Sequence, residues 1–373
     1  MTGPVGIGFI GVGMISDTYL QNLASFPDVK IVILGDIDLD RAKSQAEKHG
    51  IAEHGSGDDV LAHPDVDIIV NLTLPATHAQ ISSQAIAAGK HVWVEKPIGL
   101  DRESTKALLE QADAAGLRVG VAPDTVLGPG VQTAKRAIDR GIIGTPLFAS
   151  TTMQYQGPDI FHPNPAFLFA QGAGPMFDIG PYYVTALVNL FGSVSRVGAL
   201  GLKAREERSV LVGPNAGETF PVEVPSTMQV LMAFEAGQQS QSLLSFDSAY
   251  ARQGIVEITG TEGTLVLPDP NMFEGRVAYV KPFTEMPESF EQEWIEIEQE
   301  GVVVGRGLGL LEMARAIAGE REHRANGKVG YHVLDIMLSA EESVAAGQFV
   351  DVQSRVAPVP TMPLDFDPFA STL

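Results

Sequence analysis

Short apolar runs alternate with helical patterns over the first third of the chain. Val5–Ile10 has the length and composition of a buried strand, and residues 14–25 carry apolar side chains at helical spacing. Residues 29–34 repeat the strand pattern, and the polar, helix-favouring stretch 38–49 ends near Gly50. Residues 66–72 form another apolar run, 77–88 a helix closed by Gly89, and His91–Val94 a further strand. Residues 101–115 read as a helix with Gly116 as its C-cap, followed by a strand at 117–121. Apolar strands separated by amphipathic helices predict an α/β domain, a parallel sheet with helices on both faces.

The pattern changes around Ala122-Pro123, which divides the chain into a nucleotide-binding domain at 1–122 and a second α/β domain at 123–373. Residues 129–140 predict a helix ending at Gly141, and 177–191 a helix rich in aromatic residues. From about residue 194 strands dominate: Thr227–Phe234, then 240–246, 255–258, 264–267 and 276–280, punctuated by Gly, Pro and Asp. Such hairpins predict an open, mostly antiparallel sheet. Helices are expected near 307–319 and 331–346, and a Pro-rich extended tail after Val356. The acidic run 288–300, with Trp294 and Ile295, reads as an amphipathic strand with a solvated face.

Composition narrows the function. The 373 residues are 45% hydrophobic and 19% charged, which suits two domains with sizeable cores. A net charge of −21 offers phosphates no attractive field, so neither nucleic acid nor an anionic membrane is an expected partner. There are no cysteines, which excludes disulfides, thiolate catalysis and thiolate-held metals. No His/Asp/Glu cluster has metal-ligand spacing, and no metal is expected. Without a leader-like segment before the first strand, or an apolar run near the roughly 20 residues that span a bilayer, the chain is expected to be a soluble cytoplasmic protein.

Gly11-Val12-Gly13-Met14-Ile15-Ser16 follows the first strand and opens a helix. It matches the dinucleotide turn Gly-x-Gly-x-x-Gly, with the small Ser16 in the third place. The first glycine makes the tight turn, and the second admits the pyrophosphate to the backbone. N–H groups from Gly13, Met14 and Ile15 at the helix start then meet the phosphates. Asp36, at the end of the second strand and about 20 residues beyond Ser16, is placed to grip the ribose hydroxyls. Its carboxylate and that of Asp38 repel a 2′-phosphate, and no basic residue follows at once, which favours NAD and leaves NADP as the alternative.

Glu95-Lys96-Pro97 follows the strand His91–Val94 and so lies at the carboxyl rim of the sheet, where ligands bind in open α/β folds. Pro97 keeps the backbone of Lys96 extended or turned, with the Lys96–Pro97 bond open to either isomer. These residues, the N-terminal turn, Thr73-Leu74-Pro75-Ala76-Thr77-His78 and Ala88-Gly89-Lys90-His91-Val92 resemble the glucose–fructose oxidoreductase / inositol dehydrogenase (Gfo/Idh/MocA) family. The likeness continues through Gly141-Ile142-Ile143-Gly144 and Gly172-Ala173-Gly174-Pro175-Met176-Phe177-Asp178-Ile179-Gly180-Pro181-Tyr182-Tyr183 and covers nearly the whole chain. It implies an N-terminal Rossmann domain and a C-terminal substrate-binding and oligomerisation domain. It implies NAD(P)-dependent oxidation of a sugar, inositol or related polyol, and a homodimer or homotetramer formed through the second sheet. Thr73, Pro75, His78, Glu95 and Lys96 are then expected to border the cofactor. Many members hold histidine where this chain has Tyr182, while some sugar and dihydrodiol dehydrogenases hold tyrosine.

Oxidising a secondary alcohol requires a base within reach of its hydroxyl. Tyr182 is the expected base, with Lys96 favouring its phenolate and steadying charge on the substrate oxygen. Asp178 lies one helical turn before Tyr182 if that stretch is helical, and is expected to orient Lys96 or bind a substrate hydroxyl. His162, in the rigid loop His162-Pro163-Asn164-Pro165, is a further candidate substrate contact. Tyr183 reads as structural, and His323, Arg324 and His332 as surface or interface residues. Two other readings share the scaffold: a glycosidase that oxidises and re-reduces its sugar on a held NAD, and a nucleotide-sensing regulator.

Overall fold

Runs of β-branched and aliphatic residues with no polar side to turn to water must be covered on both faces, and a parallel sheet flanked by helices does this. In the computed structural model, which describes residues 3–373, five such strands and one short polar strand pair in parallel. They are β1 (Val5–Ile10), β2 (Val29–Gly35), β3 (Glu53–Gly55), β4 (Ile68–Asn71), β5 (His91–Val94) and β6 (Val119–Val121). Their order is β3-β2-β1-β4-β5-β6, so the winding reverses between β1 and β4. Asp38 and Asp101 cap the N-termini of helices Leu39–His49 and Arg102–Ala115, and Gly50 and Gly116 close them in the left-handed conformation. β3 and the helix Gly57–Ala62 escape a hydrophobicity reading because both are short and polar. The helix forms on a reciprocal capping box between Ser56 and Asp59.

This unit runs to Gly128 and then recruits Val302–Leu334 and Met362–Leu373, whereas the other comprises Pro129–Gly301 and Asp335–Thr361. A single cut near residue 122 does not describe such a path. The returning segment covers the sheet edge: Val121 donates to the Ala325 carbonyl, and Gly120 bridges to Asn326. His323 and His332 are buried within the chain, not at the surface or an interface as the sequence suggested, because this segment is packed against β6. The tail is tied down as well. The buried Asp28 carboxylate accepts from Arg315 and from the backbone of Thr372 and Leu373.

The second unit holds β7 (Pro146–Gln154), β8 (Val194–Leu202), β9 (Glu207–Ser209), β10 (Thr219–Pro221), β11 (Thr227–Phe234), β12 (Gln239–Ser245), β13 (Arg252–Gly260), β14 (Gly263–Leu267), β15 (Ala278–Val280), β16 (Ile295–Glu296) and β17 (Val350–Asp351). Nine of them form one mixed sheet, β16-β15-β14-β13-β7-β12-β11-β8-β17, in which β7 and β12 run parallel and the other neighbours antiparallel. β7 is central yet unread in the sequence, because only alternate residues, Ala149, Thr151 and Met153, are buried. The acidic run 288–300 contributes only β16. The expected helix at 177–191 is two helices, Gly174–Asp178 and Gly180–Phe191, divided at Ile179. No helix among the described residues is long and apolar enough to cross a membrane.

Candidate cofactor and active site

The glycine turn has the shape its spacing predicts. Gly11 sits at φ +88°, and a Cβ there would lie 2.9 Å from the Leu72 and Thr73 backbone. Gly13 faces open space: a Cβ on it would meet nothing within 4 Å. That bare, accessible backbone at the start of helix Ser16–Leu23 fits a pyrophosphate. Met14 is exposed and Ile15 half-buried beside it. The Asp36 carboxylate is buried and already engaged, taking the Val12 N–H at 2.8 Å and the Asp38 N–H at 2.9 Å. Arg41 folds back to 3.6 Å from Asp36 and 3.2 Å from Asp38, so a basic group does stand near this position, although not next to it in sequence.

At the carboxyl ends of β4 and β5 the two loops are stapled together. Asn71 accepts from the Thr73 N–H and hydroxyl and donates to the His78 carbonyl. The His78 ring is fully buried, with Nδ1 at 2.6 Å from the Pro97 carbonyl and Nε2 at 3.0 Å from the Thr73 carbonyl. Burial lowers its pKa against the pull of those two carbonyls. His78 therefore joins the Thr73 loop to the Lys96–Pro97 turn, whose peptide bond is cis. Glu95 is held from behind. Its Oε1 accepts from the Tyr19 hydroxyl at 2.8 Å, the Tyr19 oxygen accepts from Trp93 Nε1, and its Oε2 accepts from the Lys96 N–H. Burial, then the charges of Glu95 and Asp124, keep Tyr19 a neutral donor by raising its pKa far above the usual phenol range. Lys96 itself is half-buried. Asp124 lies behind Trp93, its Oδ2 taking the Gly307 and Gly309 N–H groups, and burial pushes its pKa up to about 6.

In the second unit Asp178 ends its short helix, half-buried, and Tyr182 follows in the first turn of the next helix, buried. The break at Ile179 means that Asp178 and Tyr182 do not share one uninterrupted helical turn. Tyr183 is committed elsewhere, its oxygen accepting the Gly254 N–H. His162 accepts the Asn164 N–H at Nδ1 and meets the Phe167 ring edge-on at 5.3 Å. Pro75 is half-exposed in a single 3-10 turn.

Family comparison agrees with both halves. A model of an oxidoreductase family with an NAD-binding Rossmann fold matches residues 5–122, and the GFO/IDH/MocA C-terminal domain matches 131–266. The chain belongs to the GFO/IDH/MocA family. Relatives within it include the oxidoreductase YrbE of Bacillus subtilis, 28% identical over 362 residues, covering 95% of this chain and 98% of its own. The scyllo-inositol 2-dehydrogenase (NAD(+)) of the same organism is 29% identical over 272 residues, covering 72% and 75%. The trans-1,2-dihydrobenzene-1,2-diol dehydrogenase of Bos taurus is 25% identical over 266 residues, covering 70% and 74%. The solved structure of levoglucosan dehydrogenase with NADH and L-sorbose, 22% identical, has the same fold, with a TM-score of 0.82 over 94% of this chain and 99% of that one. As a GFO/IDH/MocA member the chain is an NAD-dependent oxidoreductase, and its first unit is the NAD-binding Rossmann domain. What sequence reasoning missed are the supports: Asn71, Tyr19, Trp93 and Asp124. Asn71 was visible as a polar residue closing an apolar run. Tyr19 had no signal beyond helical spacing.

Proposed function

We propose that this oxidoreductase transfers a hydride between NAD and a secondary hydroxyl carbon of a sugar, inositol or related polyol. The observation that carries the reading is the Lys96 turn, fixed at the rim of an NAD-binding sheet by His78 on one side and Glu95 on the other. The names of its relatives, an inositol dehydrogenase and a dihydrodiol dehydrogenase, support a ring carrying hydroxyl groups.

NAD supplies the hydride acceptor. Gly11, Gly13, Met14, Ile15 and Asp36 would hold its pyrophosphate and ribose, with Thr73, Pro75, His78 and Glu95 shaping the adjoining wall. In the proposed division of labour Tyr182 takes the hydroxyl proton. Lys96 steadies negative charge on the substrate oxygen, and Asp178 and His162 bind neighbouring hydroxyls. The second unit is then the substrate-binding domain, and its open sheet face, with Phe148, Leu200 and Leu231 exposed, pairs with a second copy.

The test is a screen of sugars, inositols and glycosides with NAD and NADP, read by nicotinamide absorbance. Wild type is expected to reduce NAD with at least one polyol. Lys96→Met should lower kcat/KM by about a hundredfold or more while NADH still binds, and Tyr182→Phe should lose turnover with substrate binding kept. No reduction with any polyol would sink the reading. Hydrolysis of a glycoside without net NADH would replace it with the redox-neutral glycosidase.

A further inference from the structure

Tyr155, Phe161 and Phe169 of the loop after β7 join Phe220 of β10 and Phe246 beyond β12 in a set of aromatic residues that none of the motifs contains. Phe220 tilts against Phe169 at 5.4 Å, Phe169 meets Phe246 edge-on at 5.6 Å, and Phe246 meets Tyr155 at 5.4 Å. The column ends in Phe161, stacked on Tyr155 at 6.3 Å with its planes 19° apart. The first four rings are buried, whereas Phe161 is 62% exposed. The column is anchored. The Arg208 guanidinium lies 4.9 Å from the Phe169 ring, pairs with Asp159 and Asp247 at 3.3 Å each, and donates to the Gln156 and Phe246 carbonyls. Gly157 permits the turn, at φ +114° with Asp159 and the Phe246 carbonyl where a Cβ would go.

Tyr155 has a second property. Only 7% of it is exposed, yet its hydroxyl has no hydrogen-bond partner among the described residues. Burial, then the negative charges of Asp178 and Asp159, hold the phenol well above its usual range, so near neutrality it is a donor and not a base. The ring is covered but its oxygen reaches solvent, so this hydroxyl is open to a ligand oxygen. The charge of Asp178 acts on it, so this hydroxyl lies within electrostatic range of a proposed substrate contact.

We infer that Tyr155 and Phe161 form a second substrate subsite, in which the Tyr155 hydroxyl donates to a substrate oxygen and Phe161 stacks on a ring carried beyond the reacting one. The inference rests on the polyol reading and narrows it: the substrate is a glycoside, with a sugar or aromatic ring as its second part. An aromatic face suits the C–H side of a sugar ring or a flat aglycone, while a carboxylate and a neutral phenol together read its hydroxyls.

Matched methyl and phenyl glycosides of several hexoses, and the corresponding disaccharides, distinguish the two kinds of second ring. Binding is read by saturation-transfer NMR with NADH present, and oxidation by nicotinamide absorbance with NAD. Wild type should bind at least one two-ring ligand about tenfold more tightly than its methyl partner. Phe161→Ala should abolish that difference and leave the methyl glycoside unchanged, Phe161→Trp should keep it, and Phe283→Ala, at another exposed phenylalanine, should have no effect. Tyr155→Phe should weaken methyl and two-ring ligands alike without lowering the melting temperature. Equal affinity for both members of every pair, absence of binding, or a Phe161→Ala protein that changes its state of assembly but not its ligand affinity would each overturn the subsite. Stacking without NAD reduction would remove the polyol-oxidation reading alone. Reduction of NAD with no second-ring preference would remove the subsite alone.

Discussion

Glu95 is the residue on which the rim of the sheet turns, and its hold on Lys96 depends on a hydroxyl from another element. Tyr19→Phe removes that hydroxyl and leaves two buried polar atoms, Glu95 Oε1 and Trp93 Nε1, without this partner. An unmet buried hydrogen bond costs about 1–3 kcal/mol, so denaturant titration should show a loss of that size, with a fall in kcat and little change in NADH affinity. Unchanged stability and turnover would show that the chain from Trp93 to Lys96 is incidental. At this scale the sequence announced residues whose role is set by local geometry. Gly11 is required by a positive φ, and Asp36, buried just after β2, accepts the Val12 N–H of the glycine turn. Tyr19, Asn71 and Tyr155 were silent, because a hydroxyl or amide inside an apolar pattern becomes informative only once its partner, or its lack of one, is known.

Elements with a strong period were legible, and those that depend on neighbours were not. The helix Arg102–Ala115 and the strands β1, β2, β4 and β5 follow their apolar spacing. The aromatic run 177–191 has helical spacing as well, yet the chain breaks at Ile179, just before Gly180-Pro181 restarts the helix. β7 lies inside the sheet through pairing with β12 and β13, whose positions are far away in sequence. The segment sealing β6 makes a measurable prediction. His323 Nε2 lies 3.1 Å from the Val119 carbonyl, and burial drives its pKa down to about 4, against the attraction of Glu312. The folded value lies below the unfolded value near 6.5, so this neutral ring favours the fold fully above pH 6.5. That contribution is lost as pH falls towards 4, by up to roughly 3 kcal/mol. Unfolding free energies at pH 7 and pH 4.5 should therefore differ less in His323→Gln than in wild type. An identical difference would show that His323 is not buried neutral in solution.

At the scale of the whole molecule the proposed assembly is the open question that a single substitution decides. One face of the nine-stranded sheet holds a shallow groove of about 630 Å³ lined by Leu200, Leu231, Leu243 and Phe349 among small polar residues. An exposed apolar face on a central sheet marks an interface. Sedimentation should find a homodimer or homotetramer, and Leu231→Asp should shift it towards the monomer. A monomeric wild type at micromolar concentration would end that proposal. By itself the sequence determined the NAD-binding sheet, the glycine turn and the antiparallel character of the second half. Each of these follows from spacing within one short stretch. Tertiary structure alone decided that the chain returns to its first unit to cover β6 and bind Asp28. It also decided that His78 and Tyr19 brace the Lys96 turn, and that five rings align into a column ending at Phe161. Those facts depend on contacts between residues distant in the chain, and a one-dimensional pattern of apolar and polar positions carries no distance between them.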